Sequence, residues 1–358
     1  MMKFFGLSER TPIGIDVGAK NIKAIQMSHG PRGWRVEATA AFARGGVDIP
    51  LTRSELARLA EVLHRRSFVG RQVALAVPDD KLIVGTMELP ARNAGISLDA
   101  AARTEFSRAY KCEANSFEMS YWDLPAAARA ARTTNVMAAA CPHSDADALI
   151  DLFATAGLDV VGLDARSWAM GRACAAAVED APGIVILLDI GWKSALLVLL
   201  HHGVVIYERA LGEGGISTLH GAIDSALKIA PELAEVVLRE CGLSTAEGID
   251  ARGALKIPPE LRGEVRNVAS AHFESVSRDL LESISYTSRQ YPDAPASRLL
   301  LMGGGAMIPG IGEAMQGLVG CECRVITPLV AASCGAGVAR ECSAMLTTAA
   351  GLCRFDER

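Results

Sequence analysis

The same short pattern occurs twice in this chain. Ile13-Gly14-Ile15-Asp16-Val17-Gly18-Ala19-Lys20-Asn21-Ile22-Lys23-Ala24-Ile25 returns in outline as Ile184–Asp189-Ile190-Gly191-Trp192-Lys193-Ser194-Ala195-Leu196-Leu197. Each copy reads as an apolar strand, an Asp-x-Gly turn and a second apolar strand. That is a β-hairpin with a carboxylate and a flexible backbone at its tip. A third apolar run, Leu299–Met302, ends in Gly303-Gly304-Gly305. One Asp-x-Gly would predict no more than an ordinary tight turn. Three such devices in this order are a far stronger signal than one.

Hairpin tips of this kind suit a triphosphate. Glycine lets the backbone approach closely and offer N–H groups to phosphate oxygens. An adjacent aspartate can hold a hydrated magnesium ion, which needs few protein carboxylates. Asp16 and Asp189 are therefore the candidate magnesium pair, directly or through water. Gly18, Ala19, Lys20, Asn21 and Lys23 on the first tip are candidate ATP contacts, with Gly191, Lys193 and Ser194 on the second. Gly303, Gly304 and Gly305 would let adenine and ribose lie on main chain. Gly214-Gly215, ahead of a helix starting near Ile216, would offer further amides to an anion. A hairpin tip is not core, so Asp16→Ala is expected to spare the fold.

Composition narrows the alternatives. The chain has 358 residues, 50% hydrophobic, with formal net charge −5 and interspersed charges. That is ample for a large core and leaves no footprint for nucleic acid. The basic clusters at Arg65-Arg66 and around Arg129 to Arg132 read as solvated surface. No apolar run reaches the ~18 residues of a membrane-spanning helix. The start, Met1 to Leu7, is too short and too soon charged for a signal peptide. Nine cysteines, an odd number, fit a reducing compartment. Cys321 and Cys323 are the one close pair and read as core thiols rather than metal ligands. No Walker loop, dinucleotide fingerprint or Gly-x-Ser-x-Gly elbow is present. His201-His202 reads as a solvent-facing turn.

Patterning organises the chain. A β-β-β-α-β order over 10–80, resumed at 160–182 with a C-terminal helix near 340–353, makes a first lobe. Residues 81–159 form a small α+β insert, where Ser144-x-x-Asp147 resembles a capping box and Ala126 to Thr134 a loop. Residues 183–215 and 296–339 form the core of a second lobe. Residues 216–295 form its helical subdomain, with helices opening at Pro231 and at Pro258-Pro259.

The order of these motifs resembles the actin-like nucleotide-binding superfamily, and their wording resembles the PilM family of type IV pilus assembly, with broader kinship to FtsA. The resemblance runs through Gly14–Gly18, Gln72–Pro78, Val136–Asp164, Leu188–Gly191, Leu280–Tyr286, Leu301–Gly310 and Ala349–Leu352. The lead-in Val73–Pro78 and the exit Ala156–Val161 of the insert single out PilM within the superfamily. It implies a two-lobed, actin-like (ribonuclease H-like) α/β fold with an interlobe nucleotide cleft and the insert in the first lobe. It implies ATP and magnesium as ligands, and a short N-terminal peptide of a PilN-like inner-membrane protein as partner. It further implies a place at the cytoplasmic face of the inner membrane, reached through that partner, with self-association open.

Two departures bear on turnover. Ala19 stands where the family commonly has serine or threonine, and Trp192 where a small residue is usual. Both point to a nucleotide-binding scaffold, at most a slow ATPase. A small-molecule kinase of the same superfamily would need a base in the cleft, and Asp164 is the one obvious candidate. An FtsA-like filament protein would carry an amphipathic C-terminal helix, which Arg354–Arg358 does not supply.

Overall fold

The structure, a computed structural model, describes residues 9–47, 49–92, 95–125, 133–243 and 257–357. The chain start, the basic cluster at Arg129 to Arg132 and most of the loop expected at Ala126 to Thr134 lie outside them; Thr133 and Thr134 already belong to a strand.

The chain begins with β1 (Glu9–Arg10), β2 (Ile13–Val17), β3 (Asn21–Gly30), β4 (Gly33–Ala43), α1 (Arg53–Arg65) and β5 (Gln72–Ala76). Next come β6 (Ile83–Pro90), α2 (Leu98–Tyr110), β7 (Phe117–Asp123), β8 (Thr133–Pro142) and α3 (His143–Ala154). β9 (Asp159–Asp164) and α4 (Arg166–Val178) connect to β10 (Ile184–Ile190), β11 (Ala195–His201) and β12 (Val204–Leu211). Helices α5 (Ile216–Leu227), α6 (Pro231–Cys241) and α7 (Pro259–Ser288) precede β13 (Ala296–Met302). The remainder is α8 (Ile311–Val319), β14 (Glu322–Val325), β15 (Ala332–Cys334), α9 (Ala336–Ala339) and α10 (Thr347–Leu352).

The described residues form three sheets. The first lobe carries the order β15-β4-β3-β2-β5-β9, with β1 beside β3; the second carries β12-β11-β10-β13-β14. Each pairs an antiparallel hairpin with parallel neighbours. β2 runs parallel to β5, and β10 parallel to β13. β10 and β11 are buried over nearly their whole length, as strands covered on both faces must be. Helices α4 and α10 cross closely because Gly351 has no side chain. A Cβ there would fall 1.7 Å from the Ala169 carbonyl oxygen.

The insert sheet has the order β6-β8-β7. β8 is central, paired on both sides, so Asn135 to Ala140 offers no free edge. Its own core is Phe106, Phe117, Val136 and Ala138. Helix α3 packs elsewhere than expected, because Phe153 joins Ile15, Leu59 and Leu75 in the first lobe. It is also not started by Ser144: the helix begins at His143 behind Pro142, with no side-chain cap. The capping box of this lobe is Thr52 with Glu55, at the start of α1.

Several punctuation marks fall where the sequence puts them. Pro231 and Pro259 open α6 and α7, and Gly242 ends α6. The β11–β12 turn has His202 and Gly203 at φ of 52° and 76°, a hairpin turn at the surface. The C-terminal helix is shorter than expected, six residues in α10 after a 3-10 turn at Ala344–Leu346. Cys321 and Cys323 are half-buried thiols. Among the described residues, no helix is long and apolar enough to cross a membrane.

Candidate functional site

Both Asp-x-Gly tips form tight hairpins. In the first, Gly18 N donates to the Asn21 carbonyl at 3.0 Å, and Asp16 pairs with Lys23 across the ladder. In the second, Gly191 N donates to the Ser194 carbonyl at 3.0 Å. The two tips face each other. The Lys20 ammonium lies 4.1 Å from the centre of the Trp192 ring, a cation–π contact, and 2.9 Å from Glu235 Oε2 on α6. Trp192 in turn meets His220 edge-on at 5.1 Å. The bulky residue after the second Asp-Ile-Gly therefore closes the cleft mouth. Lys193 is exposed beside it.

The triple glycine joins the second tip. Gly303 has a φ of 85°, and a Cβ on it would stand 2.1 Å from Asp189 Oδ1. A Cβ on Gly305 would strike Ile190 at 2.2 Å, whereas one on Gly304 meets nothing within 4 Å. Gly303 and Gly305 are thus packing glycines. Gly304, exposed and right-handed, is the one under open space.

The helix that follows Gly214-Gly215 has its first two amides engaged. The amides of Ile216 and Ser217 at the start of α5 donate to the carbonyls of Gly191 and Trp192 at 3.1 and 2.8 Å. Gly215 is small because a Cβ would lie 2.4 Å from Lys193 main chain. These two amides of the helix start hold the second tip.

Asp16 and Asp189 are both buried, at 4% exposure. Lys23 Nζ lies 2.5 Å from Asp16 Oδ2. Burial would raise the Asp16 pKa, but Lys23 and then Arg166 outweigh it and hold the carboxyl below its ordinary range. Asp189 accepts from Arg166 Nη2 at 3.0 Å and from the Thr348 hydroxyl at 3.1 Å. Arg166 also reaches Asp79 Oδ2 through Nη1 at 2.7 Å. Burial disfavours its charge, yet Asp189, Asp79 and Asp16 together raise its pKa further. Glu208, half-buried near Asp79 and Arg166, has its pKa pushed up by desolvation first. One guanidinium thus sits among carboxylates from both lobes.

That arrangement tests the magnesium expectation. Asp16 and Asp189 each already have a full cation at hydrogen-bond distance. Among the described residues, no group of three or more His, Cys, Asp or Glu is set to hold a metal ion. As they stand, these two residues do not fit a directly ligated magnesium ion.

Asp164 is not a free base. Arg172 pairs with it, the Ala165 amide donates to it at 2.8 Å, and Arg172 also reaches the Gly351 carbonyl. Burial raises its pKa against the opposing effect of Arg172. It holds Arg172 of α4, which in turn ties α4 to the Gly351 carbonyl of α10. Arg166, Asp79, Glu208, Glu235 and Thr348 escape a motif reading because they neighbour the tips only in space.

Residues 14–353 match the model of a family described as type IV pilus assembly protein PilM. A solved PilM–PilN type IV pilus biogenesis complex is similar, at TM-score 0.76 and 19% identity over 96% of this chain and 98% of that one. The ethanolamine utilization protein EutJ from Carboxydothermus hydrogenoformans gives TM-score 0.56 and 15% identity, over 97% of this chain and 90% of the other. MreB5 of Spiroplasma citri bound to ADP gives 0.54 and 13%, over 96% and 95%. At these identities the likeness establishes the fold, which is actin-like.

Proposed function

This chain belongs to the PilM family of type IV pilus assembly proteins, and from that premise we propose that it is an ATP-binding scaffold of the pilus inner-membrane platform. Its cleft takes an adenine nucleotide, and its job is to bind a membrane-anchored partner rather than to turn substrate over.

The observation that carries the nucleotide half is the convergence of three separated motifs. The Asp16 tip, the Asp189 tip and the Gly303–Gly305 turn meet at one cleft, with open space over Gly304. Phosphates are read here at Gly18, Ala19, Lys20, Asn21 and Lys23 on one side and Gly191, Lys193 and Ser194 on the other. The base and ribose are read over Gly304. The actin-like fold and the ADP-bound MreB5 relative support that reading. Ala19 offers no hydroxyl, in keeping with slow turnover or none. In the ligand-free cleft Asp16 and Asp189 are engaged by Lys23 and Arg166, so direct magnesium ligation by that resting arrangement is not part of the reading.

The partner half rests on the family and on the similar PilM–PilN complex. A short peptide of a PilN-like protein would extend the insert sheet at a free edge, with alternate apolar side chains in pockets. The protein would then work at the cytoplasmic face of the inner membrane through that partner. The test is a melting-temperature shift with millimolar ATP, ADP and GTP, paired with capture of the partner's N-terminal peptide. Stabilisation by adenine nucleotides and peptide capture are expected. No shift with any nucleotide would reject the cleft assignment, and a rapid ATP-consuming reaction on a small acceptor would reject the scaffold.

A further inference from the structure

The cation at the centre of this cleft is part of the chain. Arg166 sits at the first position of α4, the helix that connects the lobes, so its backbone is fixed. Its guanidinium forks, with Nη1 on Asp79 at the insert junction and Nη2 on Asp189 of the second lobe, and it lies close enough to Asp16 of the first lobe to depress that carboxyl. The side chain is 20% exposed, and its Nε has no acceptor among the described residues. A planar fork is suited to this bridging, whereas a divalent ion would draw on the same oxygen atoms. Lys20 makes a second tie across the mouth, from the first tip to Glu235 and Trp192.

We infer that Arg166 is an internal counter-cation that closes the cleft in place of a divalent ion, and that a magnesium nucleotide must displace its guanidinium from Asp189 and Asp79 in order to bind. The inference concerns regulation of the nucleotide site proposed above and rests on that reading. Electrostatics give its direction. Asp16 meets Lys23, and Asp79 and Asp189 share Arg166. Removing Arg166 takes from Asp79 and Asp189 the guanidinium they share, which raises the attraction of these carboxylates for a divalent ion. The wild-type cleft therefore closes without ligand, and magnesium nucleotide works against that closure.

Two measurements on the full chain separate the possibilities. The first is thermal stability in magnesium chloride alone, against EDTA. Arg166→Gln should melt lower than wild type in EDTA and recover in millimolar magnesium, while wild type should be indifferent. The second is calorimetric titration with ATP in magnesium and in EDTA. Arg166→Gln should bind magnesium-ATP about tenfold tighter than wild type and lose that gain in EDTA. Asp79→Asn, a change at a half-exposed side chain that the fold can tolerate, should shift magnesium-ATP affinity the same way by less, because it loosens the same fork. Should Arg166→Gln not fold, Asp79→Asn alone carries the test. Magnesium-ATP affinity unchanged or weakened in the folded variants would overturn the inference while leaving the nucleotide reading intact. Absent ATP binding in every protein, with magnesium alone still rescuing Arg166→Gln, would overturn the nucleotide reading and retain the counter-cation.

Discussion

Lys20 and Glu235 are 215 residues apart in sequence, yet Lys20 Nζ lies 2.9 Å from Glu235 Oε2 and spans the cleft from one hairpin tip to the helical subdomain. The pairing pulls the Glu235 pKa down, first through the hydrogen bond from Lys20. Both side chains are partly exposed, so the tie adds little to overall stability. Its consequence is positional, because it engages across the cleft mouth the lysine proposed above as a phosphate contact.

Opposite effects are therefore expected at the two ends of this tie. Glu235→Gln should release Lys20 and tighten ATP binding by about two- to fivefold, whereas Lys20→Ala should weaken it by about tenfold. Calorimetry in one buffer decides. Equal affinities in both variants would remove Lys20 from the phosphate site.

Asp16→Ala is expected to do more than weaken nucleotide. A hairpin tip is ordinarily solvated, but this carboxylate is 4% exposed and pairs with Lys23, whose side chain is 16% exposed. Truncation leaves a lysine nearly buried without its partner, at a cost of roughly 3–5 kcal/mol. Urea unfolding should show that loss, and Asp16→Ala with Lys23→Met should recover part of it. A single variant as stable as wild type would mean that Lys23 reaches water unaided.

The three glycines of the 303–305 turn should behave differently from one another. Gly304→Val places its side chain in open space on a right-handed backbone, so folding should survive while adenine nucleotide binding is lost. Gly303→Ala meets Asp189 Oδ1 at 2.1 Å on a left-handed backbone, and Gly305→Ala meets Ile190 at 2.2 Å; both should melt well below wild type. Retained ATP affinity in folded Gly304→Val would place the base elsewhere.

How far the sequence exposes this site follows from where its parts lie. The Asp16 and Asp189 hairpins are legible because strand, carboxylate and glycine are consecutive, and alternation fixes the pairing. Gly304 is legible as part of a run, though only packing tells it from Gly303 and Gly305. Arg166 is not legible, since nothing in Asp164-Ala165-Arg166-Ser167 says that its guanidinium reaches back to Asp79 and forward to Asp189. The same holds for Ile216 and Ser217, whose amides would serve an anion if the second hairpin did not use them first. β15 goes unseen for another reason. It is three residues long and owes its form to pairing with Trp34, Arg35 and Val36.

Acid should act on the first tip through Glu55. This carboxylate accepts from Arg44 Nε at 3.0 Å and from the Thr52 and Gly45 amides at 3.0 and 3.2 Å. Arg44 N in turn donates to the Lys20 carbonyl at 2.9 Å. Burial opposes its charge, but Arg44 and Thr52 prevail and lower the Glu55 pKa from 4.5 to about 2. A depressed carboxylate contributes stability that is complete above the unfolded value and fades as pH falls from 4.5 to about 2. The contribution is about 1–3 kcal/mol. Wild type should exceed Glu55→Gln by that margin at neutral pH, with the gap narrowing across this window. A gap independent of pH would assign the loss to altered packing.

The insert is where a membrane partner is expected, and its sheet confines the contact to β6 or β7, since β8 is paired on both sides. β7 is partly committed. The Trp122 indole donates to the Val205 carbonyl at 2.8 Å, Trp122 packs on Trp168 at 4.2 Å, and Arg92 holds Asp123 at the strand's end. β6 carries one such contact, from the Tyr110 hydroxyl to the Val84 carbonyl at 3.4 Å, and is the freer edge. These same contacts make outright deletion of the insert a poor experiment, because Met137, Trp122 and Leu124 cover apolar surface around Met170 and Val205. A point change is cleaner. Thr86 is exposed on β6, and proline is tolerated on an edge strand where its N–H faces outward. Thr86→Pro should keep its melting temperature and ATP affinity while losing the partner's N-terminal peptide in a pull-down. Asp123→Pro, at an exposed β7 position whose N–H faces outward because its neighbour Leu124 pairs with the Asn135 carbonyl, should retain it. Loss in Asp123→Pro with capture intact in Thr86→Pro would move the peptide to β7. Capture by both folded variants would mean that the partner is held by side chains and not by a sheet edge.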